Sequence, residues 1–182
     1  MSKTAQKRSL ETRFMEFEVV CRRCQSKWQP AIARFVNVGT DPDARLGILI
    51  NTMHHSFCPQ CRLKQYIDTT FEYYDPEENI VIQVRPEWEF KAGGGEDYYL
   101  KRLEDLVYKY SKNDVRVDVV FGLRELIDKY LGGEDAVEAA KAEWYRRKEV
   151  AKKKHEERTL AKTAFEPDSP DDAEDEDSTT TA

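Results

Sequence analysis

The sequence predicts an α+β fold, and three observations carry that prediction. Strand-like runs fill the first half, and two Cys-x-x-Cys pairs fall between them. Helical apolar spacing alternates with one further strand after a Gly-Gly-Gly run. A final stretch without glycine or proline, rich in Ala, Glu, Lys and Arg, has the composition of one long helix.

Taken in order, residues 1–11 are polar and are expected to be disordered. Phe14, Phe17, Val19 and Val20 suggest a strand running into Cys21 and Cys24. Residues 27–38 alternate loosely and read as a second strand, with Pro30 near one end. Asp41-Pro42 marks a helix start, since Asp can cap and Pro suits the first helical position. Leu46, Leu49, Ile50 and Met53 follow at helical spacing. Residues 65–74 and 79–85 read as a hairpin closed by Asp75-Pro76-Glu77-Glu78. Gly93-Gly94-Gly95 reads as a flexible linker. It lacks the following Lys-Ser/Thr of a phosphate loop. Tyr99, Leu103, Leu106, Val107 and Tyr110 share a helical face, residues 115–121 form a strand, and Leu123, Leu126, Ile127 and Tyr130 a short helix ending at Gly132-Gly133. The expected organisation is a metal-binding α+β domain over 12–133, a long charged helix over 134–165 and a disordered acidic tail over 166–182.

The 182-residue chain is 35% charged, with a formal net charge of −6. Eight acidic residues and no Lys or Arg lie in 166–182. Removing them leaves 27 acidic against 29 basic residues, so the acidity belongs to the tail. No apolar run reaches the ~20 residues that cross a bilayer, and the first residues carry no secretory pattern. The expectation is a cytoplasmic protein with no membrane partner. Free thiols in a reducing compartment, at this spacing, read as metal ligands.

Cys21-Arg22-Arg23-Cys24 and Cys58-Pro59-Gln60-Cys61 contain every cysteine of the chain. Two residues between cysteines let one turn aim both sulfurs at one ion. Two such turns complete a tetrahedron, which suits zinc or an iron centre of the rubredoxin type. Zinc is the expected metal and iron the alternative. Disulfides or buried thiols are the bland readings. His54 and His55 precede the second pair and are candidates for a fifth ligand or a base, although an interior or surface histidine is the commoner case. Arg22, Arg23, Arg62 and Lys64 would offset the negative charge of a tetrathiolate, or contact phosphate beside Trp28, Tyr66 and Phe71.

With these residues in view, the stretch from Phe17 to about Gly133 resembles the CpXC domain family, named for two Cys-Pro-x-Cys motifs. The two cysteine pairs, Phe35-Val36-Asn37-Val38 with Asp41-Pro42, Tyr73-Tyr74-Asp75-Pro76-Glu77 and the strand and helix of 116–131 carry the likeness. The first pair lacks the proline. Gln25 and Arg62 stand where glycine often follows such knuckles and eases a left-handed backbone. The resemblance supports metal binding and names no reaction.

Function at this stage divides three ways. The leading expectation is a non-catalytic interaction module on a zinc ribbon-like antiparallel core, contacting a protein partner or nucleic acid through its hairpins or charged helix. The second is an enzyme drawing on His54, His55, Asp75 and Glu77. The third is an iron electron-transfer protein. Residues 141–162 hold nine Lys or Arg against four Glu. That is a solvated helix, a phosphate-binding helix held in check by the acidic tail, or a protein docking helix. Oligomeric state is not encoded in any pattern seen.

Overall fold

The computed structural model describes residues 11–163, so the expectations for residues 1–10 and 166–182 lie outside the described residues. The described chain falls into two compact units, one ending at Trp144 and one beginning at Tyr145. No helix among the described residues is long and apolar enough to cross a membrane.

A five-stranded sheet, in the order β1-β4-β7-β8-β9, organises the first unit. Its strands are β1 (Arg13–Glu16), β4 (Ala31–Asn37), β7 (Phe71–Asp75), β8 (Ile80–Arg85) and β9 (Arg116–Phe121). Two small hairpins stand apart: β2 (Val19–Val20) with β3 (Lys27–Trp28), and β5 (His55–Phe57) with β6 (Lys64–Tyr66). The run expected as one strand from Phe14 is therefore two, as is the run from Lys27. Pro30 divides the second, because it has no N–H for a ladder. Its carbonyl accepts from Phe17 N at 3.1 Å, where the first run also breaks.

The sheet is mixed, which corrects the antiparallel expectation. β1–β4 and β7–β8 are antiparallel, while β4–β7 and β8–β9 are parallel. Parallel neighbours need a crossover of a dozen or more residues. Residues 38–70, which contain α1 (Pro42–Leu49) and the β5–β6 hairpin, supply one. The second is α2 (Glu87–Ala92) followed by α3 (Glu96–Tyr110).

Both faces of the sheet are covered, and side-chain alternation along the strands sorts the core. Val36, Tyr73, Ile82 and Val120 point to one face and pack with Ile48 of α1 and with Leu126 and Leu131. Phe35, Val81 and Val119 point to the other and pack with Leu106 and Tyr110 of α3. A buried Glu72 on β7 accepts from Tyr110 Oη at 2.7 Å and from Lys109 Nζ at 2.5 Å, fixing α3 to the sheet.

Two further expectations need correction. Asp41 precedes α1, but its side chain makes no capping bond. Pro42 at the first turn is what starts the helix. The Gly93-Gly94-Gly95 run is a folded turn between α2 and α3. A Cβ on Gly93 would lie 2.4 Å from the Tyr98 ring, and Gly94 and Gly95 have φ of 99° and 70°. The helix after β9 begins as α4 (Leu123–Leu126) and continues as a π turn (Ile127–Leu131) that ends at left-handed Gly132. α5 (Gly133–Thr163) then runs for 31 residues.

Candidate metal centre

The two cysteine pairs occupy the tips of the two small hairpins, and each tip folds by the same local rules. In the first, Cys21 N donates to Ser26 O at 2.8 Å and Gln25 N to Cys21 O at 3.0 Å. In the second, Cys58 N donates to Leu63 O at 3.0 Å and Arg62 N to Cys58 O at 3.0 Å. The residue after each pair is left-handed, with φ of 61° at Gln25 and 59° at Arg62. The glycine position keeps its geometry without the glycine, at a cost of about 1–2 kcal/mol each.

The tips converge. Cys21 Sγ lies 3.5 Å from Cys61 Sγ, and Cys24 Sγ lies 3.6 Å from Cys58 Sγ. All four sulfurs lie within 4.8 Å of one another. Four thiolates about 2.3 Å from a tetrahedral ion sit roughly 3.8 Å apart. The donor set therefore fits a tetrahedral metal ion.

The geometry agrees with what comparison with known proteins finds. The CpXC protein family matches the chain over residues 19–141, about two thirds of its length. The chain belongs to the CpXC family. No curated protein and no solved structure matches it.

The CpXC hairpins are held together by contacts that sequence reading missed. Gln65 on β6 accepts from Arg22 N at 3.1 Å and donates to Val20 O at 3.4 Å. Trp28 Nε1 donates to Ser56 Oγ at 3.0 Å. Ser26 Oγ lies 3.1 Å from Cys24 Sγ and 3.0 Å from Cys58 Sγ. Polar residues inside or facing a knuckle are the signal that would have found them, but spacing alone does not say which ones cross over.

Neighbouring N–H and O–H groups divide the thiols. Burial pushes Cys58 up, but the Cys61 N–H, the Ser26 hydroxyl and the Gln60 N–H outweigh it and bring the thiol to about 6. The Leu63 backbone pulls Cys61 down. Burial and the other three sulfurs reverse this and raise it to about 11. Ser26, through its hydroxyl and its backbone, lowers Cys24. Metal binding needs all four as thiolates, so it releases protons.

The other sequence candidates sit elsewhere. His54 is buried, has φ of 58°, and places Nε2 2.9 Å from Ala33 O and its ring edge-on to Phe71. It is held in the protein interior, and the metal-compatible cluster is made of the four cysteines without either histidine. His55 stacks at a tilt on Tyr66. Asp75 is buried, accepts from Glu77 N at 3.0 Å, and pairs with Arg45 at 3.5 Å, which is turn-building work. Phe71 belongs to the core, whereas Tyr66 is exposed. Arg22, Arg23, Arg62 and Lys64 are all exposed around the tips.

Proposed function

We propose that this CpXC protein is a non-catalytic zinc-holding module that binds a protein partner in a reducing compartment. The observation that carries the reading is the closed set of four converging sulfurs. Four protein thiolates fill a tetrahedron and leave no position for substrate or water, which is the pattern of a structural zinc ion. Cys21, Cys24, Cys58 and Cys61 would hold the ion, and the bound metal would fix the two hairpin tips as one rigid surface. His54 is turned inward, and Asp75 stabilises a turn, so these candidates support presentation of a surface rather than chemistry on a substrate.

Two measurements test it. Metal analysis of the purified full chain should give one zinc per chain and a colourless protein, whereas a red protein with iron replaces this reading with electron transfer. The immobilised full chain should then retain one recurrent protein from a native lysate. Retention of nothing beyond a bare-resin control removes the partner from the proposal.

A second reading concerns α5. Helical spacing aligns Arg147, Lys154 and Arg158 along one side, and all are exposed. That row suits nucleic-acid phosphates, whose contacts weaken steeply with salt. A gel shift at low salt that disappears as salt rises would favour it. No shift at low salt removes it.

A further inference from the structure

Beside the knuckle hairpin β5–β6, a cleft of about 590 Å³ opens on the face covered by α1 and α4. That volume is within the ~300–1,000 Å³ typical of binding sites. Leu49, Tyr66, Leu123, Ile127 and Val137 give it apolar walls. Ile127 and Asp128 reach it from the π turn, and such turns recur at functional sites.

The charge on its rim is one-sided. Arg124 pairs with Asp128 at 3.5 Å and Lys141 with Glu138 at 2.7 Å, so the two lining cations are already matched. Asp68, Glu87 and Glu134 also line the cleft, and none of them has an ion-pair partner among the described residues. The crowding registers at Asp68. Partial burial and the Glu89 charge raise its carboxyl, the Trp88 indole opposes them, and Glu87 raises it further. A cation entering the cleft would offset the Glu89 and Glu87 charges.

We propose, building on the protein-binding reading above, that this cleft docks a segment of a partner protein in which an aliphatic or aromatic side chain is flanked by lysine or arginine. The apolar walls take the anchor, and the unmatched carboxylates take the flanking cations. The three carboxylates come from three separate segments: the stretch after β6, α2 and α5. Several cations along an extended peptide match that spread better than one ammonium group does. Electrostatic matching of this kind sets partner choice more than raw affinity.

The test uses the isotope-labelled full chain, purified with its metal, and three capped peptides: Gly-Lys-Leu-Lys-Gly, Gly-Lys-Gly-Lys-Gly and Gly-Glu-Leu-Glu-Gly. The first should shift the amides of Asn51, Gly122, Asp128 and Glu134 saturably at low salt. The second should do so more weakly, and the third not at all. Replacing Asp68→Asn and Glu134→Gln together, both exposed and away from the cysteines, should weaken the first peptide roughly five-fold, as expected for two screened ion pairs. The proposal is overturned if no cleft amide moves, if the double variant binds equally well, if the acidic peptide matches the basic one, or if shifts are confined to residues 166–182. These failures are separable from failure of the underlying reading. A lysate protein captured equally by wild type and double variant sinks the cleft and keeps the module, whereas no capture at all sinks the module.

Discussion

Cys24 Sγ and Cys58 Sγ meet at 3.6 Å across 34 positions of sequence. The contact joins the tip of one hairpin to the tip of another, and nothing in either hairpin alone would hold it there. Gln65 and the Trp28–Ser56 bond bring the tips together, and four thiolates at this spacing would give a tetrahedral metal ion its full coordination.

Removing one of those sulfurs should be costly. Cys58→Ser leaves three thiolates, and in small sites metal-binding free energy is folding free energy. The variant should lose at least about 3 kcal/mol and melt roughly 10 °C lower, and a strong chelator should lower wild type in the same direction. Thermal melts with and without chelator check this. Equal melting temperatures in all conditions would remove the structural role of the site.

The left-handed residues after each pair predict the opposite sign. Gln25→Gly and Arg62→Gly relieve Cβ strain at φ near 60° in exposed positions. Part of that gain is offset by the freer unfolded chain. Each should stabilise the protein by about 0.5–1 kcal/mol, measured by denaturant unfolding of the metal-bound chain. Destabilisation by both would mean that the side chains themselves contribute.

His54 sets a pH dependence. Burial holds its imidazole down, against the Ala33 carbonyl and with help from Arg34 and His55, so that it protonates only at about 4 rather than near 6.5. The unfolded chain takes up this proton first as pH falls. Stability is therefore full above pH 6.5 and declines between 6.5 and 4, by about 3 kcal/mol for this group. His54→Gln should flatten that decline relative to wild type, whatever its effect at neutral pH. Parallel pH curves for the two proteins would show that His54 is not responsible.

Tyr110→Phe tests the tie between α3 and the sheet. It strips one donor from the buried Glu72 carboxylate and leaves Lys109 in place. A loss of about 1–3 kcal/mol is expected, read from chemical denaturation. An unchanged midpoint would mean that water replaces the hydroxyl without cost.

Much of this protein was legible from local chemistry. Two Cys-x-x-Cys turns announce their own ligand geometry, Pro42 announces the start of α1, and an unbroken Ala/Glu/Lys/Arg run announces α5. What stayed hidden is non-local or depends on one residue's environment. The parallel pairing of Phe35 with Glu72 cannot be read from alternation, because both pairing directions use the same period of two. Gln65 looks like any polar strand residue until the other hairpin lies across it. α2 escaped because six residues after Pro86 show too little periodicity to register. His54 looked available because its φ of 58° and its inward turn are properties of the fold, not of the dipeptide His54-His55.

The long excursion between β4 and β7 bears on how the chain reaches its native state. The central parallel pair forms only after residues 38–70 have looped back, and closing such a loop is an entropic barrier that grows with its length. A metal tie between the tips at 21–24 and 58–61, formed early, would shorten that excursion. Metal present during refolding should therefore accelerate the appearance of sheet signal, and a chain refolded with chelator should lag and aggregate through its unpaired central strands.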